Sequence, residues 1–286
     1  MNMKSLNILV LFISLIILTG CYENPIDTEQ YFKQVYMVGA ADKIFFSDIY
    51  YDDNLDTAFV SVATGGSKNI DKNIQVTLVN GTADDIAAYN KKFVTSGSVR
   101  YQGLPSSFYE IPSMTVLIKG GDVYGRIPIK INTVGMKCDS LYAIPFKISS
   151  STDYSINSKD TVLLLSFNMK NMFSGTYQAA GAKVGWLNGA ASGLPTTLSA
   201  TRVLTAVNKN TVRFFNWSTA ETTANIPSQC LTLTINSDNS VSINGWNQLI
   251  INKGGGTYNP MKKLFTIWYL YMDGTTQYRV DETLAM

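Results

Sequence analysis

The chain has 286 residues, of which 45% are hydrophobic and 15% are charged, with a formal net charge of +2 and no histidine. A nearly neutral chain without a basic run lacks the electrostatic footprint of a nucleic-acid-binding protein, so we exclude that partner. The absence of histidine excludes Ser-His-Asp and Cys-His catalysis as well as His-ligated zinc, which leaves only carboxylate chemistry open.

A short apolar segment precedes the first cysteine. Lys4 supplies the only charge before the apolar residues 6–18, which as a helix would span about 20 Å, too short to cross a bilayer core comfortably. A basic start, a short apolar run and a small-residue exit predict a secretory signal peptide over residues 1–20. The sequence LTGC at residues 18–21 resembles the lipobox of bacterial lipoproteins. This resemblance implies that Cys21 is acylated, becomes the new N-terminus and anchors the protein to a membrane.

Residues 21–31 predict a lipidated, flexible tether. The sequence YENPIDTEQY, residues 22–31, carries three acidic residues around a proline and shows no apolar periodicity. Acidic residues directly after a lipidated cysteine also resemble the surface-export signals of Gram-negative gut anaerobes. This second resemblance implies an outer-membrane lipoprotein on the cell surface.

Strand patterns dominate residues 32–169 and predict an all-β domain. Runs of β-branched and aromatic residues are separated by turn clusters at intervals typical of a β-sandwich. The charged fraction of 15% lies below the usual value of about 25% and is typical of an extracellular β protein. The predicted strands cover residues 32–38, 57–63, 73–80, 114–119, 123–131, 142–149 and 161–167.

One stretch in this half predicts a single short helix packed on the sheet. Thr82 is a plausible N-cap with Asp85 three residues later, the spacing of a capping box. Ile86, Tyr89 and Phe93 then fall on one helical face. Lys91 and Lys92 in the last turn and Gly97 beyond them mark the end of this helix.

Residues 170–286 predict a second, antiparallel β domain. Tight-turn pairs join several of its strands and favour a meander, namely Lys209-Asn210, Asp238-Asn239 and Asp273-Gly274. Six or seven strands suit either a lipocalin-like barrel or a second sandwich, and periodicity leaves both open. Strands are predicted to start near SGTYQAAG, residues 174–181, and to continue over residues 197–207, 211–217, 229–236, 241–250, 263–272 and 276–284.

Two glycine runs fall between predicted strands. Gly65-Gly66 and residues 254–256 lack the strand-to-helix setting of a phosphate-binding loop. We therefore predict that both runs are hairpin connections.

Residues 30–168 resemble a domain of unknown function found just after the lipidated cysteine in surface lipoproteins of gut anaerobes. The resemblance rests on the run AYNKKFVTSGSVRYQGLPSSFYEIPSMTVLIKGGDVYGRIPIKI, residues 88–131, and on YAIPFKIS, residues 142–149. It implies an immunoglobulin-like β-sandwich encoded beside starch-utilisation-type glycan uptake systems. The end of the chain, residues 257–284, resembles the closing strands of the C-terminal β domains that accompany it.

Several motifs that could carry chemistry lack a required part. Asp52, Asn54 and Asp56 alternate as in a calcium loop, but the glycine and the glutamate required at positions six and twelve are missing, which leaves a polar turn. Asp281 and Glu282 are adjacent and would point to opposite faces of a strand, so they do not form a facing pair of acids. We predict no enzymatic activity, no cofactor and no metal.

The two cysteines after Cys21 give no disulfide framework. Cys138 and Cys230 fall in different predicted domains. A bridge between them and two small, partly buried side chains both remain open.

Tryptophans near loops are the candidate ligand-binding residues. Sugar rings pack their axial C–H groups on aromatic faces, while nearby amides and hydroxyls meet the sugar hydroxyls. Trp186, Trp217 and Trp246 each have such polar neighbours. Partial burial inside its own domain is the alternative for each, and Trp268 is predicted to be a core residue.

The sequence therefore predicts a lipid-anchored, two-domain β protein that binds a glycan for an outer-membrane polysaccharide uptake system. Its expected partners are the glycan, components of an outer-membrane transporter and, through the N-terminal lipid, the membrane. The alternative is a structural or adhesive surface lipoprotein that binds a protein and has no affinity for glycans. A carboxylate-based hydrolase is a third possibility and would need a cleft with two facing acids.

Overall fold

The computed structural model describes residues 28–159 and 161–286, and the described chain is built almost entirely of β-strands. The predicted signal peptide, Cys21 and the start of the tether lie outside these residues. Within the described residues, no helix is both long and apolar enough to span a membrane.

The N-terminal half contains eleven described strands and one helix, α1 (Ala83–Phe93). Single turns of 3-10 helix lie at Ala40–Asp42 and Ser106–Phe108. The strands are β1 (Gln34–Met37), β2 (Ile44–Tyr50), β3 (Asp56–Thr64), β4 (Ile74–Asn80), β5 (Tyr101–Gly103), β6 (Tyr109–Glu110), β7 (Thr115–Ile118), β8 (Tyr124–Ile131), β9 (Leu141–Ser151), β10 (Ser155–Ile156) and β11 (Val162–Lys170).

These strands form two sheets that share one core. The first sheet has the order β10-β1-β3-β8-β6, and the second has the order β2-β11-β9-β4-β7 with β5 paired to β9. Alternate residues of β3 and β4 are buried and belong to the same apolar cluster, as Val60 and Val76 illustrate. Side chains from both sheets therefore exclude water from a single interior, which is the main source of stability in such a fold.

Helix α1 begins as the sequence predicts. The Thr82 backbone N–H donates to Asp85 Oδ2 at 2.7 Å, and the Asn90 side-chain amide donates to the Tyr101 carbonyl at 2.8 Å, which fixes the helix to β5. Ile86 is buried, whereas Phe93 at the last turn is 51% exposed. The Phe93 ring packs on that of Tyr89, with centroids 5.0 Å apart.

The predicted polar turn at the aspartates is confirmed. Residues 51–55 connect β2 to β3, and Asp52 and Asp53 both accept hydrogen bonds from the Lys209 ammonium, at 3.0 and 2.6 Å. Their carboxylates thus face a lysine of the C-terminal half.

The C-terminal half is a closed eight-stranded barrel, which decides between the two predicted alternatives. The strands follow one another around the barrel in chain order, and the last pairs with the first. One helical turn, α2 (Ile226–Gln229), follows a 3-10 turn at Thr223–Asn225. The strands are β12 (Gly175–Leu187), β13 (Ala190–Asn208), β14 (Thr211–Phe215), β15 (Cys230–Ile235), β16 (Ser240–Gly245), β17 (Ile251–Asn259), β18 (Leu264–Asp273) and β19 (Thr276–Ala285).

Neither glycine run is a hairpin connection as predicted. Gly65-Gly66 follows β3 and leads to β4, which lies in the other sheet. Gly254, Gly255 and Gly256 lie inside β17 and pair with β18. A Cβ atom at Gly256 would lie 2.3 Å from the Thr266 carbonyl oxygen, so glycine lets the two strands approach as the barrel curves. The three predicted tight turns are confirmed, with left-handed backbones at Asn239 and Gly274.

Polar contacts join the barrel to the two sheets. Arg213 on β14 places Nη1 2.6 Å from Asp139 Oδ1, and the Asn171 amide donates to the carbonyls of Asn208 and Thr211 at 2.7 and 2.9 Å. Together with Lys209, these contacts hold the β13–β14 turn end of the barrel against the N-terminal half.

Candidate functional site

A polar cavity of about 400 Å³ opens at one end of the barrel. Because the strands alternate in direction, this end lies opposite the β13–β14 turn that contacts the N-terminal sheets. Its walls come from the end of β12, the loop 216–229, the loop 246–250 and the β18–β19 turn. The lining residues are Lys183, Asn216, Trp217, Ser218, Thr219, Ser228, Gln229, Gln248, Leu249, Ile250, Tyr271, Met272, Asp273 and Gly274.

Trp217 is the predicted tryptophan that lines this cavity. Its backbone is left-handed, with φ 45°, two residues after the end of β14. The side chain is 5% exposed and packs in the barrel core. Trp217 therefore presents only part of its indole to the cavity and supports the barrel with the rest.

Side-chain amides and hydroxyls line the same cavity as Trp217. The Thr219 hydroxyl contacts Gln229 Oε1 at 3.4 Å, and Gln248 stands exposed on the loop 246–250. The Asn216 backbone N–H donates to the Gln229 carbonyl at 2.7 Å, which ties the ends of the loop 216–229 together. This composition, an aromatic ring beside short polar groups, is the one that sugar recognition requires.

Lys183 enters the cavity from β12 between two aromatic rings. Its Nζ lies 5.8 Å from the centroid of the Trp217 ring and 4.7 Å from that of Tyr278. Tyr278 in turn stacks on Tyr271, with centroids 5.8 Å apart and an interplanar angle of 29°. The arrangement gives a cation held by aromatic faces at the mouth of the barrel.

Below the cavity, the barrel interior contains buried polar groups. The fully buried Tyr269 hydroxyl donates to Asn216 Oδ1 at 2.9 Å. Glu282 is 3% exposed, and its burial raises the pKa of its carboxyl to about 7, partly offset by Arg202. Among the residues that the structure describes, neither carboxylate oxygen of Glu282 has a hydrogen-bond partner. Its neighbour Asp281 points outward and pairs with Arg279 at 2.7 Å, so these two acids do lie on opposite faces of β19.

Trp186 lies on the outer face of the barrel. The Arg279 guanidinium lies 5.1 Å from the Trp186 ring and 4.8 Å from the ring of Trp268. Both indoles are half-buried. Trp268 is therefore not a core residue as predicted, because on β18 the inward positions are taken by Ile267 and Tyr269.

Trp246 lies on the barrel wall near the N-terminal half. The Arg213 guanidinium stacks 5.0 Å from its ring and also binds Asp139. Within the described part of the chain, the buried Trp246 Nε1 has no hydrogen-bond partner. The three predicted tryptophans thus occupy three different environments, and one of them lines the cavity.

The two cysteines are free thiols near the same arginine. Arg213 Nη1 lies 3.9 Å from Cys138 Sγ. Burial raises the pKa of Cys138, and it raises the pKa of the Cys230 thiol to about 11. Both thiols are therefore protonated and unreactive near neutral pH.

Sequence reasoning missed Lys183, Asn216, Gln248 and Tyr271 as cavity residues. They come from β12, two separate loops and β18, and no local motif connects them. Only the closure of the barrel brings them together.

Two family models match the chain. One is described as an N-terminal domain and matches residues 29–155, and the other is described as a C-terminal domain and matches residues 161–285. Several solved structures share the fold over both halves. A Bacteroides ovatus protein of unknown function covers 88% of this chain and 94% of its own, with 15% identity and a TM-score of 0.63.

Two further solved structures from Bacteroides share this fold. A Bacteroides ovatus multidomain protein that includes a domain of unknown function has a TM-score of 0.58 at 16% identity and covers 86% of this chain and 90% of its own. An auxiliary nutrient binding protein from Bacteroides thetaiotaomicron has a TM-score of 0.54 at 13% identity and covers 86% and 91%. Identities this low show a shared fold. No curated protein matches the chain significantly.

Proposed function

We propose that this protein is a cell-surface lipoprotein that binds carbohydrate for an outer-membrane polysaccharide uptake system, and that the barrel cavity holds the glycan. The observation that carries the proposal is the cavity itself, in which Trp217 and Tyr271 lie among amides and hydroxyls. Sugars are recognised by aromatic rings together with short polar groups, and both rings are largely buried here.

The cavity also has the size and setting of a small-ligand site. Its volume of about 400 Å³ lies within the usual range of roughly 300 to 1,000 Å³. Its wall is continuous with the packed barrel core through Trp217, Leu249 and Tyr271, so this part of the wall is formed before a ligand arrives. Preorganisation of this kind reduces the entropy lost on binding.

Other parts of the proposal rest on the sequence and on the shared fold. The lipobox-like residues 18–21 support an acylated Cys21 and an outer-membrane location. The shared core of the two N-terminal sheets supports an immunoglobulin-like sandwich. A nutrient binding protein with the same fold supports a role in nutrient capture. Components of an outer-membrane transporter are the partners that we propose for this role.

We propose recognition rather than catalysis. A glycosidase needs two carboxyl groups that face the sugar about 5 to 10 Å apart. Asp273 is the acidic residue of the cavity wall, whereas Glu282 is buried deeper in the barrel and interacts with Arg202. A binding site without hydrolysis fits this arrangement.

Affinity electrophoresis and a glycan array with the processed chain test the proposal. We expect Gln248→Ala, which removes one amide from the cavity rim, to weaken binding about fivefold, the size of one lost hydrogen bond. Gln178→Ala is the matched control, because Gln178 lies exposed on β12 and bonds to Thr201 outside the cavity. Absence of binding to every glycan, together with capture of a transporter component in pull-downs, would establish the adhesive alternative instead.

A further inference from the structure

Lys183 lies beside aromatic rings, whereas the two buried arginines of the barrel lie beside acidic side chains. Arg202 contacts Glu221 at 3.5 Å, and Arg213 contacts Asp139 at 2.6 Å. Lys183 forms no ion pair within residues 28–159 and 161–286, and its described neighbours are the rings of Trp217 and Tyr278. Each arginine therefore has its counter-charge inside the protein, whereas the lysine in the cavity has aromatic faces.

The position of Lys183 is fixed by the barrel. Lys183 pairs with Val280 of β19, and the register of β12 shifts between Lys183 and Gly185. Such a bulge re-aims the side chains beside it. The half-buried stem of Lys183 then carries its ammonium into the cavity rather than out along the barrel wall.

The acidic groups near the cavity leave this ammonium available to a ligand. Asp273 is exposed at the end of β18, at the cavity rim, and the structure places no ion pair between it and Lys183 among the described residues. Glu282 lies deeper in the barrel, where Arg202 is the cation that acts on it. A cation–π contact stabilises an ammonium group less than a charge-assisted hydrogen bond to an anion does. An anionic ligand would therefore add to the stabilisation that the rings provide.

We propose that the glycan is acidic and that its carboxylate or sulfate binds Lys183, an inference that rests on the proposed function. The anion forms a charge-assisted contact with the ammonium while the sugar ring packs beside Trp217. Amides and hydroxyls of the cavity then form hydrogen bonds with the neutral hydroxyls of the sugar. The cavity thus selects for a negative charge at one point of the sugar.

A glycan array with matched pairs of polymers tests this inference. The pairs are polygalacturonate with its carboxyl-reduced form and chondroitin sulfate with its desulfated form, printed among neutral polysaccharides. We expect wild-type protein to prefer the acidic member of at least one pair, and the pair that responds identifies carboxylate or sulfate as the anion. Lys183→Gln should weaken that binding about tenfold or more, since hydrogen bonds to charged groups are the strong ones.

Lys262→Gln is the control, because it removes the same single positive charge as Lys183→Gln. Lys262 is exposed on the β17–β18 turn at the opposite end of the barrel, so this variant should bind as wild type does. Thermal unfolding confirms that Lys183→Gln is folded. The inference is overturned if wild type binds only neutral glycans, binds both members of each pair equally, or loses affinity equally in the two variants. Binding to no glycan at all removes the proposed function itself.

Discussion

Glu282 places an ionisable carboxyl where water does not reach. Burial raises its pKa from 4.5 to about 7, so between these values the folded protein holds a proton that the unfolded chain has released. The unfolded state binds fewer protons, and the free energy of unfolding therefore falls as the pH rises through this window. This shift in pKa corresponds to about 3 kcal/mol in the free energy of unfolding.

We expect Glu282→Gln to remove most of this pH dependence. The variant should resemble wild type near pH 4 and be more stable near pH 8, by up to about 3 kcal/mol, as measured by urea unfolding at each pH. Asp281→Asn is the control, because Asp281 faces outward with a half-exposed carboxylate. A Glu282→Gln curve that follows wild type from pH 5 to 8 would contradict the prediction.

Strand β17 shows how glycine serves the barrel at the level of an element. A Cβ at Gly256 would meet the Thr266 carbonyl oxygen at 2.3 Å, while at Gly255 the nearest atom, the Val241 carbonyl oxygen, would lie 3.6 Å away. Gly256→Ala should therefore cost about 1 to 3 kcal/mol through overpacking. Gly255→Ala in the same strand should be neutral or slightly stabilising. Equal melting temperatures for the two variants would show that β17 and β18 can separate without loss.

Elements specified by local chemistry could be predicted from the sequence. The capping pair Thr82 and Asp85 marks the start of α1, and Asp273-Gly274 marks the last hairpin. Strand β2 was not predicted, because it is a sheet edge on which Phe45 and Phe46 are both exposed and the alternation fails.

The face of a strand was harder to predict than its existence. On β18 both faces are apolar, so the sequence did not show that Trp268 points outward while Tyr269 points inward. Lys183 as a cavity residue was equally hidden, since its two aromatic neighbours come from positions 217 and 278. Such sites depend on contacts between distant segments, which no local pattern records.

At the level of the whole molecule, Arg213 links the barrel to the N-terminal half. Its side chain is 6% exposed and binds Asp139, so Arg213→Ala should lower stability by about 2 kcal/mol and separate the unfolding of the two halves in calorimetry. Lys209→Gln is the comparison, because Lys209 is 47% exposed and exposed pairs contribute little, about 0 to 1 kcal/mol. Equal losses in the two variants would assign the coupling to surface charge instead.

The proposed anchor is tested on intact cells. Metabolic labelling with a clickable palmitate should mark the wild-type protein, and Cys21→Ala should abolish the label, because acylation requires the thiol. Protease added to intact cells should then remove the body from the surface. A protein that is labelled equally in the variant, or that is protected until lysis, would contradict the anchor or its exposure, respectively.

The packed interior beneath the cavity has a consequence for the shape of what binds. Tyr269 and the other core side chains close the barrel below Trp217 and Asn216, so a polymer cannot pass through from one side to the other. For the glycan that we propose, a chain end or a short branch fits such a dead end, whereas the middle of a long polysaccharide does not. Oligosaccharides cut from a polymer should therefore compete better, gram for gram, than the uncut polymer, because cutting multiplies termini.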